Sequence, residues 1–400
     1  MKTPTEQEIF TLLQHENKRK VLEEISTPAY LIDEEKLRGN GEILKGLSER
    51  TGCRILLAQK AFSNYDFYPL LSAYLDGTEA SGLYEARLGA EEMPEKEVHV
   101  FCAAYKEDEF EKLLHYADHI VFNSPAQLKR FGALAKKAGK SVGLRLNPEC
   151  STQDEHAIYD PCAPSSRLGT TRNEWIRQMD AKTVALLDGV HFHTLCEQDA
   201  DALADTIDAF EMQFDDLLPK LKWINLGGGH HITRSDYSMD VLESCIRRVQ
   251  EKWCVEVYLE PGEACALHAG LLATRVLDLV TNGETKIAIL DVSAACHMPD
   301  VIEMPYKPPV YGADLQEGMD YILAGPTCLA GDVIGSYAFS HELQIGEVLF
   351  LGDMAIYTTC KNNTFNGMPL PDIWRVGECA ATERLTSFEY ADFKCRLGKR

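Results

Sequence analysis

The run RILLAQK, residues 54–60, decides the fold, because it is a short apolar stretch that ends in a single lysine. Short apolar runs fit buried parallel strands, and the segments between them carry apolar residues at three- and four-residue steps, as helices do. Eight such strand–helix units predict an α/β fold, a TIM-type (β/α)8 barrel. The seven later runs are GTEAS (77–81), VHVFC (98–102), HIVFN (119–123), VGLRLN (142–147), GVHFHT (189–194), WINLGG (223–228) and VEVYLEPG (255–262).

Beyond the eighth run the sequence predicts strands without long helices. An Asn-Gly turn inside TNGET (281–285) separates two apolar runs and is typical of a hairpin. We therefore expect a barrel over residues 36–265 and a β domain made of residues 1–35 and 266–400, completed by the N-terminal strand PAYLID (28–33). The strands predicted in its C-terminal part are TRVLDLV (274–280), KIAILDVS (286–293), QIGEVLFLG (344–352) and MAIYTT (354–359).

Composition excludes several classes of function. A net charge of −22 over 400 residues disfavours nucleic acid and suits cationic small molecules. The N-terminal segment is polar and no apolar stretch is long enough to span a bilayer, so we expect a cytoplasmic protein that does not bind membranes. The 13 cysteines stand singly, as reduced thiols of such a compartment do.

Lys60 is the first candidate for chemistry, because it closes the first barrel strand and active sites of such barrels lie at the C-terminal strand ends. A lysine that loses solvation there becomes a neutral amine able to form a Schiff base. A strand-end lysine that only reaches water is the alternative.

Gly227, Gly228 and Gly229 follow the seventh strand, where barrels commonly bind phosphate through backbone N–H groups. A flexible turn is the alternative. Glu260 closes the eighth strand, from which a carboxylate can face a cofactor; an ordinary ion pair would also account for it.

His191 and His193 lie two apart on the sixth strand and so face the same side. Such a pair suits core packing, or zinc in a metal-dependent hydrolase. Because the first strand carries a lysine here, we expect no metal.

Eight motifs together resemble the fold-type III pyridoxal-phosphate (PLP) decarboxylases, the group that contains the ornithine and diaminopimelate decarboxylases. The resemblance covers nearly the whole chain, and HFHTLCE, GPTCLAGD and TFNGMPLPDI are most similar to its carboxynorspermidine/carboxyspermidine branch. The motifs, in the order of the family, are TPAYLID (27–33), AQKAFS (58–63), LRLNP (144–148), HFHTLCE (191–197), NLGGGHH (225–231), EPGEA (260–264), GPTCLAGD (325–332) and YTTCKNNTFNG (357–367).

The resemblance implies roles for individual residues. Lys60 would hold PLP as a Schiff base, and His193 would stack on the pyridine ring. Glu260 would pair with the ring nitrogen, and Arg145 would support the cofactor face. The phosphate would be held by Gly227, Gly228, Gly229 and Tyr357.

The resemblance also implies a homodimer, in which Cys328 of one subunit completes the catalytic site of the other. Two departures from the ornithine decarboxylases stand out. Glu263 replaces an arginine that follows EPG and grips the phosphate. Leu329 replaces an aspartate after the cysteine, which moves the acidic end of the substrate pocket to Asp332, with Glu197 as a second candidate.

The implied activity is decarboxylation of carboxynorspermidine or carboxyspermidine to norspermidine or spermidine, with a cationic carboxylated polyamine as substrate. Diaminopimelate decarboxylase is the main alternative, and Arg167 is the basic residue that would bind its distal carboxylate. A racemase is disfavoured, because such barrels usually place an arginine where Glu260 stands. A non-catalytic PLP carrier is disfavoured by the complete set of cofactor groups and by the C-terminal β domain.

Overall fold

The chain forms two compact units in the computed structural model, which describes residues 4–153, 160–314, 318–378 and 381–399. The barrel unit contains residues 39–60 and 64–265, and the sheet unit contains residues up to 38, 61–63 and from 266 onward. This division differs from the predicted range of 36–265, since residues 36–38 and 61–63 group with the sheet unit. For the second of these segments one reason is a hydrogen bond within the unit, from the Tyr357 N–H to the Ala61 carbonyl (2.9 Å).

The strands and helices of the described residues are numbered along the chain. The strands are β1 Ala29–Asp33, β2 Arg54–Ala58, β3 Gly77–Ala80, β4 Glu97–Phe101, β5 His119–Phe122, β6 Ser141–Arg145, β7 Gly189–His191, β8 Trp223–Asn225, β9 Glu256–Leu259, β10 Gly270–Asn282, β11 Thr285–Leu290, β12 Met319–Ala324, β13 Val333–Phe339, β14 Val348–Gly352, β15 Asp372–Val376 and β16 Thr382–Thr386. The helices are α1 Glu6–Ile9, α2 Glu16–Glu23, α3 Glu34–Thr51, α4 Tyr68–Leu71, α5 Leu83–Glu92, α6 Glu107–Tyr116, α7 Pro125–Lys137, α8 Arg172–Gln178, α9 Ala181–Val184, α10 Ala200–Phe214, α11 Met239–Trp253, α12 Glu263–Ala266, α13 Ala294–His297, α14 Asp300–Glu303 and α15 Tyr390–Cys395.

Strands β2 to β9 form a closed parallel barrel, which confirms the predicted fold. Closure occurs where β2 pairs with β9, with Arg54 opposite Tyr258 and Ile55 opposite Leu259. Each of the eight predicted runs contains most or all of one barrel strand, including GTEAS, which supplies β3. The alternation of strand and helix therefore sets the architecture, because two neighbouring parallel strands need a crossover connection of about a dozen residues or more, which a helix supplies.

Two glycines make room for the largest side chain inside the barrel. A Cβ on Gly143 of β6 would lie 2.4 Å from the Trp223 ring, and one on Gly189 of β7 would lie 2.1 Å from it. Trp223 is 2% exposed and packs in one cluster with Leu56, Val121 and Tyr258. The barrel is therefore filled by side chains, as barrels of this kind are.

The sheet unit contains an eight-stranded sheet in the order β13-β12-β11-β10-β1-β15-β16, with β14 paired to β10. Strand β1 pairs antiparallel with β10 and parallel with β15, so the N-terminal strand completes this sheet as predicted. Strands β10 and β11 form the hairpin signalled by Asn-Gly, since Asn282 pairs with Thr285 across the turn.

One predicted strand is wrong. Residues 354–359, MAIYTT, form turns and bends although the run is largely apolar. Asp353 and Tyr357 have φ angles of +55° and +51°, which a strand does not allow.

No helix in the described part of the chain is both long and apolar enough to cross a membrane. The cysteines of the same part form no disulfide with one another.

Candidate active site

Lys60 lies two residues beyond β2, at the C-terminal end of the barrel strands. The turn that carries it is fixed by Gln59, which is fully buried. The Gln59 N–H donates to the Glu79 carbonyl (3.1 Å), and its side-chain amide donates to the Glu85 carbonyl (2.9 Å) and accepts from the Tyr68 hydroxyl (3.1 Å). Lys60 therefore lies at a strand end of the barrel mouth, as predicted. That Lys60 binds a cofactor stays a prediction.

Glu260 is a buried carboxylate just beyond β9, with a partner on each oxygen. Asn225 Nδ2 donates to Oε1 (2.5 Å), and His191 Nε2 lies 3.2 Å from Oε2. Burial alone would raise the pKa of Glu260, but the interactions with His191 and the charge of Lys60 outweigh it and lower the pKa to about 2. Burial lowers the pKa of His191, so the pair consists of a carboxylate and a neutral imidazole at neutral pH.

Glu79 of β3 is a second buried carboxylate, which the sequence reasoning missed. Burial and the charge of Glu260 raise the pKa of Glu79 to about 8, against the opposing effect of Lys60. Two carboxyl groups around one lysine therefore differ in protonation at neutral pH, which is the pattern expected where acid and base roles are divided. An acid in the middle of the buried run GTEAS was the signal that could have identified it.

The glycine run after β8 makes a turn that only glycine tolerates. Gly227 and Gly229 have φ angles of +76° and +83°, and a Cβ on Gly228 would lie 2.2 Å from the Glu260 carbonyl oxygen. The Gly228 N–H donates to His193 Nδ1 (3.0 Å), so the proton of this neutral ring is on Nε2. Burial and the charge of Lys60 hold the pKa of His193 well below its usual value.

Arg145 ends β6 as a buried guanidinium over the Phe101 ring, at 4.5 Å from its centroid. Its Nη2 donates to the His193 carbonyl (3.1 Å), which connects the segment after β7 to the end of β6. Burial lowers the pKa of Arg145 to about 10, and the group stays charged at neutral pH. Arg167 is exposed, and its charge contributes to lowering the pKa of Arg145. This predicted residue therefore lies within electrostatic range of Arg145.

His231, which no sequence argument singled out, forms an ion pair with Glu263, the acid that replaces the expected arginine. His231 Nε2 lies 3.1 Å from Glu263 Oε2, and the two side chains are only 11% and 12% exposed. Burial opposes protonation of His231, but the hydrogen bond and charge of Glu263 and the charge of Glu197 raise its pKa. Glu197 is exposed and acts electrostatically on His231.

Three predicted residues, Cys328, Asp332 and Tyr357, lie in the sheet unit. Cys328 is exposed on the turn between β12 and β13, where its N–H donates to Asn366 Oδ1 (2.8 Å). Tyr357 is half-buried with its backbone in the left-handed region, which is unusual for an aromatic residue and occurs where surrounding structure enforces it.

Asp332 is only 3% exposed, and its carboxylate is engaged within the sheet unit. Ser293 Oγ donates to Oδ1 (2.9 Å), while Thr327 Oγ1 donates to Oδ2 (2.6 Å). These contacts favour a role in shaping the turn of Cys328 over the direct substrate contact that the sequence suggested.

The alternative of a metal site gains one feature from the structure. His191, His193 and Glu260 each offer a ligand atom, all within 4.8 Å of one another. The charges of Lys60 and Arg145 act on the same groups and oppose a further cation.

A family model described as pyridoxal-dependent decarboxylase, C-terminal sheet domain, matches residues 29–355. The chain belongs to this family. It is 41% identical to the carboxynorspermidine/carboxyspermidine decarboxylase of Campylobacter jejuni, over 94% of this chain and 99% of that protein. It is 38% identical to the carboxyaminopropylagmatine decarboxylase of Synechocystis, over 94% and 97%.

Among solved structures, the carboxynorspermidine decarboxylase of Campylobacter jejuni complexed with norspermidine superposes with a TM-score of 0.85. It is 39% identical and covers 93% of this chain and 100% of that one. The predicted family and fold are thereby confirmed, and membership makes the chain a pyridoxal-dependent decarboxylase.

Proposed function

We propose that this decarboxylase acts on carboxynorspermidine and carboxyspermidine with PLP as cofactor. The observation that carries the proposal is similarity over almost the full chain to decarboxylases of carboxylated polyamines, including one whose structure holds norspermidine. The net charge of −22 favours a polycationic substrate.

The residues at the barrel mouth fit PLP. Lys60 would supply the amine that attaches it, the glycine loop 227–229 would receive its phosphate at a turn where no Cβ blocks a close approach, and Glu260 would supply an anion for its ring nitrogen. PLP, when bound, withdraws electrons from the bond that breaks. Arg145, whose Nη2 donates to the His193 carbonyl, and the His193 ring would orient the ring face of the cofactor.

The chain's own part of the reaction is orientation and proton transfer. We assign Lys60 to holding the cofactor and releasing the product, and Cys328 of the partner subunit in a homodimer to protonating the carbon that loses carbon dioxide. Tyr357 is assigned to the phosphate. Glu79, which is protonated at neutral pH and lies near Lys60, is assigned to the residues that transfer protons.

The direct test is release of carbon dioxide from five substrates: carboxynorspermidine, carboxyspermidine, carboxyaminopropylagmatine, diaminopimelate and ornithine. We expect the first two to have the highest kcat/KM. A preference for carboxyaminopropylagmatine would move the function to that of the Synechocystis relative. A preference for diaminopimelate would overturn the polyamine assignment and give Arg167 the role of binding the distal carboxylate.

Attachment of the cofactor is tested separately. Borohydride reduction of the purified yellow protein should fix PLP to the peptide that contains Lys60, and Lys60→Ala should bind PLP without forming that adduct. An adduct on another lysine would refute the assignment of Lys60.

A further inference from the structure

The acid Glu263 creates an electrostatic problem at the phosphate end of the proposed cofactor site. It stands where the resembled ornithine decarboxylases have an arginine for the phosphate, so a cation is exchanged for an anion. A phosphate carries close to two negative charges at neutral pH, and an unpaired carboxylate beside it would weaken its binding. The inference below rests on the proposed function, since it concerns PLP.

Backbone hydrogen bonds hold the segments around the glycine loop together. The Glu260 N–H donates to the Gly227 carbonyl (2.8 Å), and this fixes the start of EPGEA to the loop. The Gln198 N–H donates to the Gly229 carbonyl (3.0 Å), and the His231 N–H donates back to the Gln198 carbonyl (3.2 Å). The loops after β7, β8 and β9 therefore converge at this point of the barrel.

Side chains complete the same cluster. Thr233 Oγ1 donates to the Ala264 carbonyl (2.7 Å), which joins the segment after the glycine loop to helix α12. Within this frame the imidazole of His231 meets the carboxylate of Glu263 at 3.1 Å. Both groups are about nine-tenths buried, so solvent screens neither of them well.

We propose that His231 is a positioning residue for the cofactor phosphate, which supplies the positive charge that balances Glu263 beside the glycine loop. The imidazolium cancels the charge of the Glu263 carboxylate, so a phosphate at the glycine loop meets a pair that carries no net charge. In the resembled decarboxylases an arginine contributes charge directly; here the histidine removes a repulsion that the acid at that position would otherwise cause. The raised pKa of His231 is consistent with a proton held by this pair.

The test is a double-mutant cycle on cofactor affinity. His231→Gln keeps a neutral donor and removes the charge, and Glu263→Gln removes the acid. The readout is the equilibrium dissociation constant of PLP and of pyridoxal, which lacks the phosphate, measured by absorbance on apoenzyme. We expect His231→Gln to weaken PLP binding at least tenfold and pyridoxal binding less than threefold, and we expect addition of Glu263→Gln to restore PLP binding to within threefold of the wild type.

His230→Gln is the matched control. His230 is the neighbouring residue, and burial lowers its pKa to about 4, so its replacement removes no charge at neutral pH. It should affect PLP and pyridoxal equally. Equal weakening of both ligands by His231→Gln, or no rescue by Glu263→Gln, would overturn the inference. Wild-type protein that fails to bind PLP would instead overturn the proposed function.

Discussion

Asn225 links the two ends of the proposed cofactor site, and its replacement by aspartate is the sharpest test of the charge on Glu260. Asn225 is fully buried; its Nδ2 donates to Glu260 Oε1 (2.5 Å), while its Oδ1 accepts from the Gly227 N–H (2.8 Å). Asn225→Asp preserves the shape and the acceptor for Gly227. It replaces the donor to Glu260 with a carboxylate oxygen.

The size of the effect follows from the separation of the two groups. Two charges about 3 Å apart at an effective dielectric constant near 20 repel by about 5 kcal/mol, or roughly 4 pKa units. Since the pKa of Glu260 is about 2 in the native chain, the introduced carboxyl group and Glu260 should together retain one proton in the variant up to about pH 6 and above. The negative charge opposite the ring nitrogen would then be shared between Glu260 and the introduced carboxyl group.

We expect kcat of Asn225→Asp at about pH 5, roughly one unit below this shared titration, to fall at least tenfold relative to the wild type, or about 1.4 kcal/mol of barrier, and to recover as the pH rises to about 9. The PLP dissociation constant should stay within about threefold of the wild type, because the glycine loop keeps its acceptor. The assay is carbon dioxide release against pH, with PLP titration alongside.

Asn40→Asp controls for the cost of burying a further acid in the barrel unit. Asn40 is 1% exposed, and its side chain donates to the Cys265 carbonyl (3.3 Å). A wild-type kcat and pH profile for Asn225→Asp would refute the reasoning, since Glu260 would then act without depending on its charge.

Four shorter predictions follow from the same contacts. Glu260→Gln should bind PLP and lose at least 100-fold in kcat, about 2.7 kcal/mol, and a near-normal rate would place the ring-nitrogen partner elsewhere. Asp332→Asn should lower the melting temperature and reduce kcat/KM by the same factor for all active substrates. A loss of kcat/KM confined to the longer polyamine would instead support a direct contact between Asp332 and the substrate. Lys60→Ala and Cys328→Ala chains, each nearly inactive, should on mixing recover about a quarter of wild-type activity if the subunits of a dimer share sites; exchange without recovery would exclude sharing. Burial lowers the pKa of His297 to about 4, below its unfolded value near 6.5, so the stability that His297 contributes at neutral pH is lost as the pH falls from about 6.5 towards 4. Between about pH 7.5 and pH 5 the free energy of unfolding of His297→Gln should therefore decrease by about 2 kcal/mol less than that of the wild type. Equal decreases for the two proteins in urea titrations would contradict this.

Local pattern determined much of the fold. Most barrel strands were visible as apolar runs, because strands buried on both faces are rich in apolar residues, and the Asn-Gly turn located the β10–β11 hairpin. MAIYTT failed as a strand because apolar composition does not reveal a left-handed backbone at Tyr357. Lys60 and Glu260 could be proposed as site residues from the sequence because motifs and strand ends mark them directly.

Tertiary structure alone decided which charges meet. The carboxyl group of Glu79 is protonated because folding brings it near Glu260 in a buried place, although 181 positions separate the two in the chain. Asn225, one asparagine among several in the sequence, connects Glu260 to Gly227 only once the ends of β8 and β9 lie side by side. The sequence by itself determined the barrel, the sheet unit and the residue types at the strand ends, because burial and strand period are local properties. Protonation states and ion pairs such as His231–Glu263 depend on distances between separate strand ends, and only the closed barrel sets those distances.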